Sequence, residues 1–250
     1  MEAYVDPNIV IDSEFLDGEN AILVNFVGCN FNCPICNAPD FVVFNRNFIT
    51  NIKEVKKEIK RVSPNVSNIV FSGGEPTLQR LALGSLCRFA NKLNLSTWVH
   101  TNGSKPEVIK YLIKNNLSTN FIVSIKAPLD NDIFNRATKS ASFFVSSLQM
   151  IESIKKSIDI LYEFLPNISV EFRTPVFPGV VYKPEHFLKI CRAIAKLHPV
   201  LVIENFSFDP EKGFLNSAIK NLSPLSKASL NQIKKVCTAK YPQVDVQARF

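Results

Sequence analysis

No apolar run in the chain approaches the ~18 residues that a spanning helix needs. The first residues, Met1-Glu2-Ala3-Tyr4-Val5-Asp6, carry no basic segment followed by an apolar one. No spanning helix or secretory leader is therefore read, no membrane partner is expected, and the expected location is the cytoplasm. Glycine is scarce, 8 residues against 15 Pro, and no Gly/Ser linker, low-complexity tract or fixed-period repeat interrupts the order. With 46% apolar and 20% charged residues, this composition excludes disordered, collagenous and coiled-coil chains. A chain of 250 residues buries about three quarters of its extended surface, so it needs no disulfide staples. One domain over 1–250 is expected, with a core at about 20–206 and a C-terminal helix and short strand within 207–250.

Charge is unbalanced, 29 Lys+Arg against 22 Asp+Glu for a net +7, which suits nucleic acid or an acidic partner surface. Its distribution argues against nucleic acid. In the densest patch, Lys53 to Val62, the residues Val55, Ile59 and Val62 share one helical stripe and the charges take the other faces, as on a solvated helix.

Six short β-rich runs recur: 21–27, 68–71, 96–99, 120–123, 169–172 and 200–203. Amphipathic stretches near 50–62, 78–93, 105–116, 131–157 and 183–197 separate them, and a last helix near 224–239 precedes the apolar segment Val244-Asp245-Val246. Alternation of this kind implies parallel strands joined by right-handed crossovers. The expected fold is α/β, a partial (β/α)6 barrel that is laterally open.

Of the six cysteines, Cys87, Cys191 and Cys237 sit at apolar helix positions and read as small buried hydrophobes. The other three crowd into Gly28-Cys29-Asn30-Phe31-Asn32-Cys33-Pro34-Ile35-Cys36-Asn37, where the first strand should end. Their spacing, C-x3-C-x2-C, offers three thiolates on one tight loop, which suits three corners of an iron-sulfur cube. Structural zinc would want a fourth nearby ligand, and the nearest His in sequence is His100. A 4Fe-4S cluster held by three cysteines keeps one iron open to an exogenous chelating ligand. The second strand then runs into Phe71-Ser72-Gly73-Gly74-Glu75-Pro76, whose glycines let backbone groups approach a ligand closely. Polar residues also end the later strands: His100-Thr101-Asn102-Gly103, Ser124-Ile125-Lys126 and Arg173-Thr174-Pro175. Barrel active sites are assembled at such ends.

The cysteine spacing and the Gly-Gly-Glu segment one strand later resemble those of the radical S-adenosylmethionine superfamily. Within it, three stretches resemble the activating enzymes of glycyl-radical proteins, of the type serving anaerobic ribonucleoside-triphosphate reductase. They are Gly73 to Gln79, Ile125 to Asp130 and Glu171 to Gly179. The chain departs from that pattern at Ile35 and Asn37, where the family has an aromatic and a His, and at His100 and Ser124, where acidic residues are usual.

The resemblance implies an enzyme in which the methionine amino and carboxylate groups chelate the open iron. Flavodoxin or ferredoxin would reduce the cluster, and reductive cleavage would leave a 5'-deoxyadenosyl radical that abstracts hydrogen. Cys29, Cys33 and Cys36 would ligate iron, and Gly73, Gly74 and Glu75 would position the amino group. Ser124, Lys126 and Arg173 would approach the carboxylate or ribose, and Ile35 would pack on the adenine. Lys126 or a protonated His100 would balance the cofactor carboxylate. The open barrel favours a bulky hydrogen donor, a glycine-bearing loop of a partner protein. A small-molecule substrate, such as a modified-nucleoside precursor, is the alternative, and a non-enzymatic metal-binding module is the third reading.

Overall fold

The computed structural model describes residues 1–142, 145–207, 215, 219 and 221–250. Parts of the expected 207–250 tail, residues 208–214, 216–218 and 220, lie outside that set. The strands are β1 (Glu2–Tyr4), β2 (Val10–Leu16), β3 (Glu19–Phe26), β4 (Ile49–Asn51), β5 (Asn68–Gly73), β6 (Ser96–Thr101), β7 (Asn120–Ser124), β8 (Ser169–Pro175), β9 (Val200–Glu204) and β10 (Asp245–Arg249). The helices are α1 (Ile52–Val62), α2 (Arg80–Lys92), α3 (Pro106–Lys114), α4 (Asn131–Thr138), α5 (Ser147–Glu163), α6 (Pro184–Ile194) and α7 (Lys227–Lys240).

The main sheet runs β10-β9-β8-β7-β6-β5-β3-β2 and is parallel throughout except where β2 folds back antiparallel on β3. The six parallel strands expected from the sequence are β3 and β5 to β9, and β10 joins as a seventh. Local chemistry starts the helices where the crossovers need them. Asn51 caps α1 through the Lys53 amide, Ser146 and Gln149 close a reciprocal capping box on α5, and Pro106 and Pro184 open α3 and α6.

One expectation about the elements is corrected. The stretch 131–157 is two helices, α4 and α5, because Lys139 takes the left-handed conformation (φ +43°) and ends α4. That break frees the Thr138 carbonyl to accept a hydrogen bond from the Asn32 amide, at 2.8 Å, in the cysteine loop. The β2–β3 hairpin and the small β1–β4 ribbon were not foreseen.

Alternation along the strands divides the sheet. On the helix-covered face Ile22, Val24, Phe26, Ile69, Phe71, Val99, Phe121, Val123, Phe172, Leu201 and Ile203 are buried in one continuous core. The concave face is polar at its upper level, where Ser72, His100, Ser124 and Arg173 lie. The β2–β3 hairpin reaches across this hollow, tied by the Arg249 ion pair to Asp17 (2.6 Å) and by Arg173 Nη2 donating to the Phe15 carbonyl (2.7 Å). Among the described residues no helix is long and apolar enough to cross a membrane.

Candidate functional site: the cysteine loop and the strand ends

Where β3 ends the chain turns at Gly28 (φ +102°), and the loop is pinned by its own backbone. Gly28 N donates to the Phe41 carbonyl and Cys29 N to that of Val42, both at 2.8 Å. Cys33 is buried, while Cys29, Cys36 and Ile35 are half-buried. Burial pushes all three thiols up, Cys33 to about 12, and the neighbouring Glu75 raises Cys29 further, whereas Lys126 works in the opposite sense on Cys33 and Cys36. Bare thiolates are thus disfavoured here, and a cationic iron partner would be what releases their protons. Among the described residues no three His, Cys, Asp or Glu side chains are gathered closely enough to hold one metal ion. Three soft sulfur donors on one loop suit a multi-iron cluster, which takes one thiolate per corner.

The Gly-Gly-Glu segment packs directly on this loop. Gly74 N donates to the Phe26 carbonyl and Glu75 N to the Gly28 carbonyl, each at 2.8 Å. A Cβ on Gly73 would sit 2.3 Å from the Phe26 carbonyl oxygen, and one on Gly74 would sit 2.4 Å from those of Gly28 and Phe41. In this structure the glycines let backbone approach backbone. The Glu75 side chain is fully buried and turned to β6. Its Oε1 accepts from Thr77 N (3.1 Å), Thr77 Oγ1 (2.5 Å) and Thr101 Oγ1 (2.7 Å), and its Oε2 accepts from Asn102 N (2.7 Å). Burial raises its pKa against the opposing pull of those bonds.

On the concave face, His100 lies between two hydroxyls, with Nδ1 2.9 Å from Ser72 Oγ and Nε2 2.8 Å from Ser124 Oγ. Burial, reinforced by Lys126 and Arg173, holds its pKa well below 6.5. The expected protonated His100 is thereby corrected: burial beside Lys126 and Arg173 disfavours the charged ring. Lys126 is half-buried and no carboxylate pairs with it among the described residues. Arg173 is otherwise engaged. It pairs with Glu171, gives Nη2 to the Phe15 carbonyl, lies 3.8 Å from Glu204 and stacks over the Phe15 ring at 4.8 Å. The structure therefore brings Cys29, Cys33, Cys36, Gly73, Gly74, Glu75, His100, Ser124 and Lys126 to one end of the sheet, with Arg173 beside Ser124 in register on β8.

Sequence reasoning gave no role to Asn30, Thr77, Thr101, Asn102, Ser104 or Phe15. Thr101 and Asn102 were noticeable as a strand end. The rest carry no signal without the third dimension.

Residues 24–191 match the Radical SAM superfamily, and the chain belongs to it. The cofactors of that superfamily are a 4Fe-4S cluster and S-adenosylmethionine, and membership assigns both to this chain. A Methanocaldococcus jannaschii protein, provisionally named a glycyl-radical enzyme activating enzyme, is 32% identical over 156 residues, covering 62% of this chain and 60% of the relative. A 7-carboxy-7-deazaguanine synthase of Hyperthermus butylicus is 34% identical over 89 residues, 36% of this chain and 37% of that protein. Less than two thirds of either relative is spanned. Among solved structures, a radical SAM methyltransferase from Sphaerobacter thermophilus superposes with a TM-score of 0.62 at 14% identity, covering 99% of this chain and 77% of that one. At that identity the likeness concerns the fold, a curled half-barrel of mostly parallel strands.

Proposed function

We propose that this enzyme generates a glycyl radical on a partner protein. The observation that carries the reading is the 32% identity over 156 residues to the M. jannaschii relative, which bears that provisional assignment. When bound, the cluster and S-adenosylmethionine supply a one-electron cleavage that yields a hydrogen-abstracting radical. Cys29, Cys33 and Cys36 hold the cluster. Gly73, Gly74 and Glu75 position the methionine amino group, and Ile35 packs on the adenine. Lys126, the unpaired cation of the strand ends, faces the carboxylate, with Ser124 and neutral His100 as hydrogen-bonding neighbours on the carboxylate or ribose side. Arg173, braced by Glu171 and Phe15 beside Ser124, borders the ribose.

The concave face supports a protein substrate. Phe15, at the β2 bulge, lies edge-on to His100 at 5.3 Å and under the Arg173 guanidinium, and so occupies part of that face. A loop presented at the strand ends then fits better than a small molecule entering deeply. Flavodoxin or ferredoxin is the donor class that suits the reaction. The test combines anaerobically reconstituted enzyme, S-adenosylmethionine, a one-electron reductant and a candidate glycyl-radical protein. A glycyl-radical doublet in electron paramagnetic resonance, together with 5'-deoxyadenosine, is expected. Cleavage coupled only to a small-molecule product would move the assignment to the second reading, a deazapurine-type precursor, which the H. butylicus match favours.

A further inference from the structure

Asn102, at the end of β6, is 5% exposed and is joined to both segments that meet at the site. Its backbone amide donates to Glu75 Oε2 (2.7 Å), which fixes the carboxylate of the Gly-Gly-Glu segment. Its side-chain amide nitrogen donates to Asn30 Oδ1 (2.9 Å), inside the cysteine loop, and lies 4.0 Å from Cys29 Sγ. Its side-chain oxygen accepts from Ser104 N (2.9 Å), which fixes which end of the amide faces the sulfur. Asn30 in turn donates to Ser104 Oγ (2.8 Å), closing the ring of contacts. Among the described residues, the other donor to that sulfur is the Phe31 amide, at 3.4 Å.

We infer that Asn102 is a positioning residue for the cluster: it locks the cysteine loop to the glycine segment and aims an N–H at the Cys29 sulfur, raising the reduction potential of the bound cluster. The inference rests on the proposed assignment of Cys29 as a ligand. Physically, a hydrogen bond to a ligating sulfur withdraws electron density and favours the reduced cluster, while added negative charge nearby opposes reduction. Glu75 stands on the other side of the same balance, because its charge already bears on Cys29. An amide at position 102 offsets that carboxylate without adding a charge of its own, and it does so from a buried site where electrostatic effects are weakly screened.

The test is a potentiometric titration of the anaerobically reconstituted wild-type, Asn102→Ala and Asn102→Asp proteins, followed by electron paramagnetic resonance of the reduced cluster. The midpoint should become more negative in Asn102→Ala, which removes the donor, and more negative still in Asn102→Asp, which replaces it with a charge. Midpoints equal to wild type in both loaded variants would overturn the inference. If a variant takes up no iron, thermal melting of the apo-protein decides. A wild-type melt with lost iron supports the locking role, whereas an early melt assigns Asn102 to stability alone and overturns it. Cluster loading that survives Cys29→Ala would instead defeat the ligand assignment, and this inference with it.

Discussion

The two faces of the same sheet obey opposite chemistry. On the convex face, Phe121 and Phe172 are fully buried in the apolar core that the helices cover. On the opposite face of the same strands, Ser124 follows Phe121 by three residues and Arg173 follows Phe172 directly, and there side chains bond to one another across the hollow. The lesson is that the period of two in a β-strand lets each segment serve stability on one side and chemistry on the other, so that substitutions at adjacent residues should report on different properties.

The comparison can be broken most strongly at its apolar side. Phe121→Ala is expected to cost about 3–5 kcal/mol in urea denaturation, because the emptied volume cannot refill. At the mouth, Gly74→Ala forces a methyl group against two carbonyl oxygens of the cysteine loop. We expect a loss of about 1–3 kcal/mol, as for overpacking, with reduced iron uptake on reconstitution. Gly179→Ala is the control: its Cβ would meet nothing within 4 Å, and only the positive φ (+79°) would cost stability, about 1–2 kcal/mol.

His100 sharpens the comparison by pH. Its folded pKa is depressed below 6.5, so the unfolded chain binds its proton first as pH falls. The stability this histidine contributes is fully present above about pH 6.5 and is lost as pH drops below that value toward the folded pKa. Urea denaturation of wild type and His100→Gln between about pH 7.5 and about pH 5.5, roughly one unit to either side of the unfolded pKa, should show the wild type losing stability more steeply. The smallest effect belongs to the tie between hairpin and far edge. Arg249 and Asp17 are 28% and 57% exposed, so Arg249→Ala should shift stability by less than about 1 kcal/mol.

Much of the fold was legible because its strands are buried on one face and separated by helices of clear apolar period, as in α1, whose Ile52, Val55 and Ile59 are its buried residues. The β2–β3 hairpin was not. Its bulge, where Asp12 Oδ1 accepts from the Glu14 and Phe15 amides, breaks the alternation, and β2 is mostly exposed, which removes the hydrophobic signal. The Asp17-Gly18 pair, a strong hairpin turn, was the clue present in the sequence. At the site, the cysteine triplet and the Gly-Gly-Glu segment could be read as motifs because each is local. Their mutual packing through Gly28 and Gly74 could not, and neither could the Asn30–Asn102–Ser104 contacts, which join residues more than seventy positions apart.

The most direct test of the account is anaerobic reconstitution of single Cys→Ala variants, with iron per chain and 5'-deoxyadenosine formation measured side by side. Loss of the cluster and of cleavage in Cys29→Ala, Cys33→Ala and Cys36→Ala is expected, with both retained in Cys87→Ala, Cys191→Ala and Cys237→Ala, whose thiols lie buried among helix side chains. Stoichiometric zinc without iron, or cleavage that survives loss of any of the three loop cysteines, would contradict it.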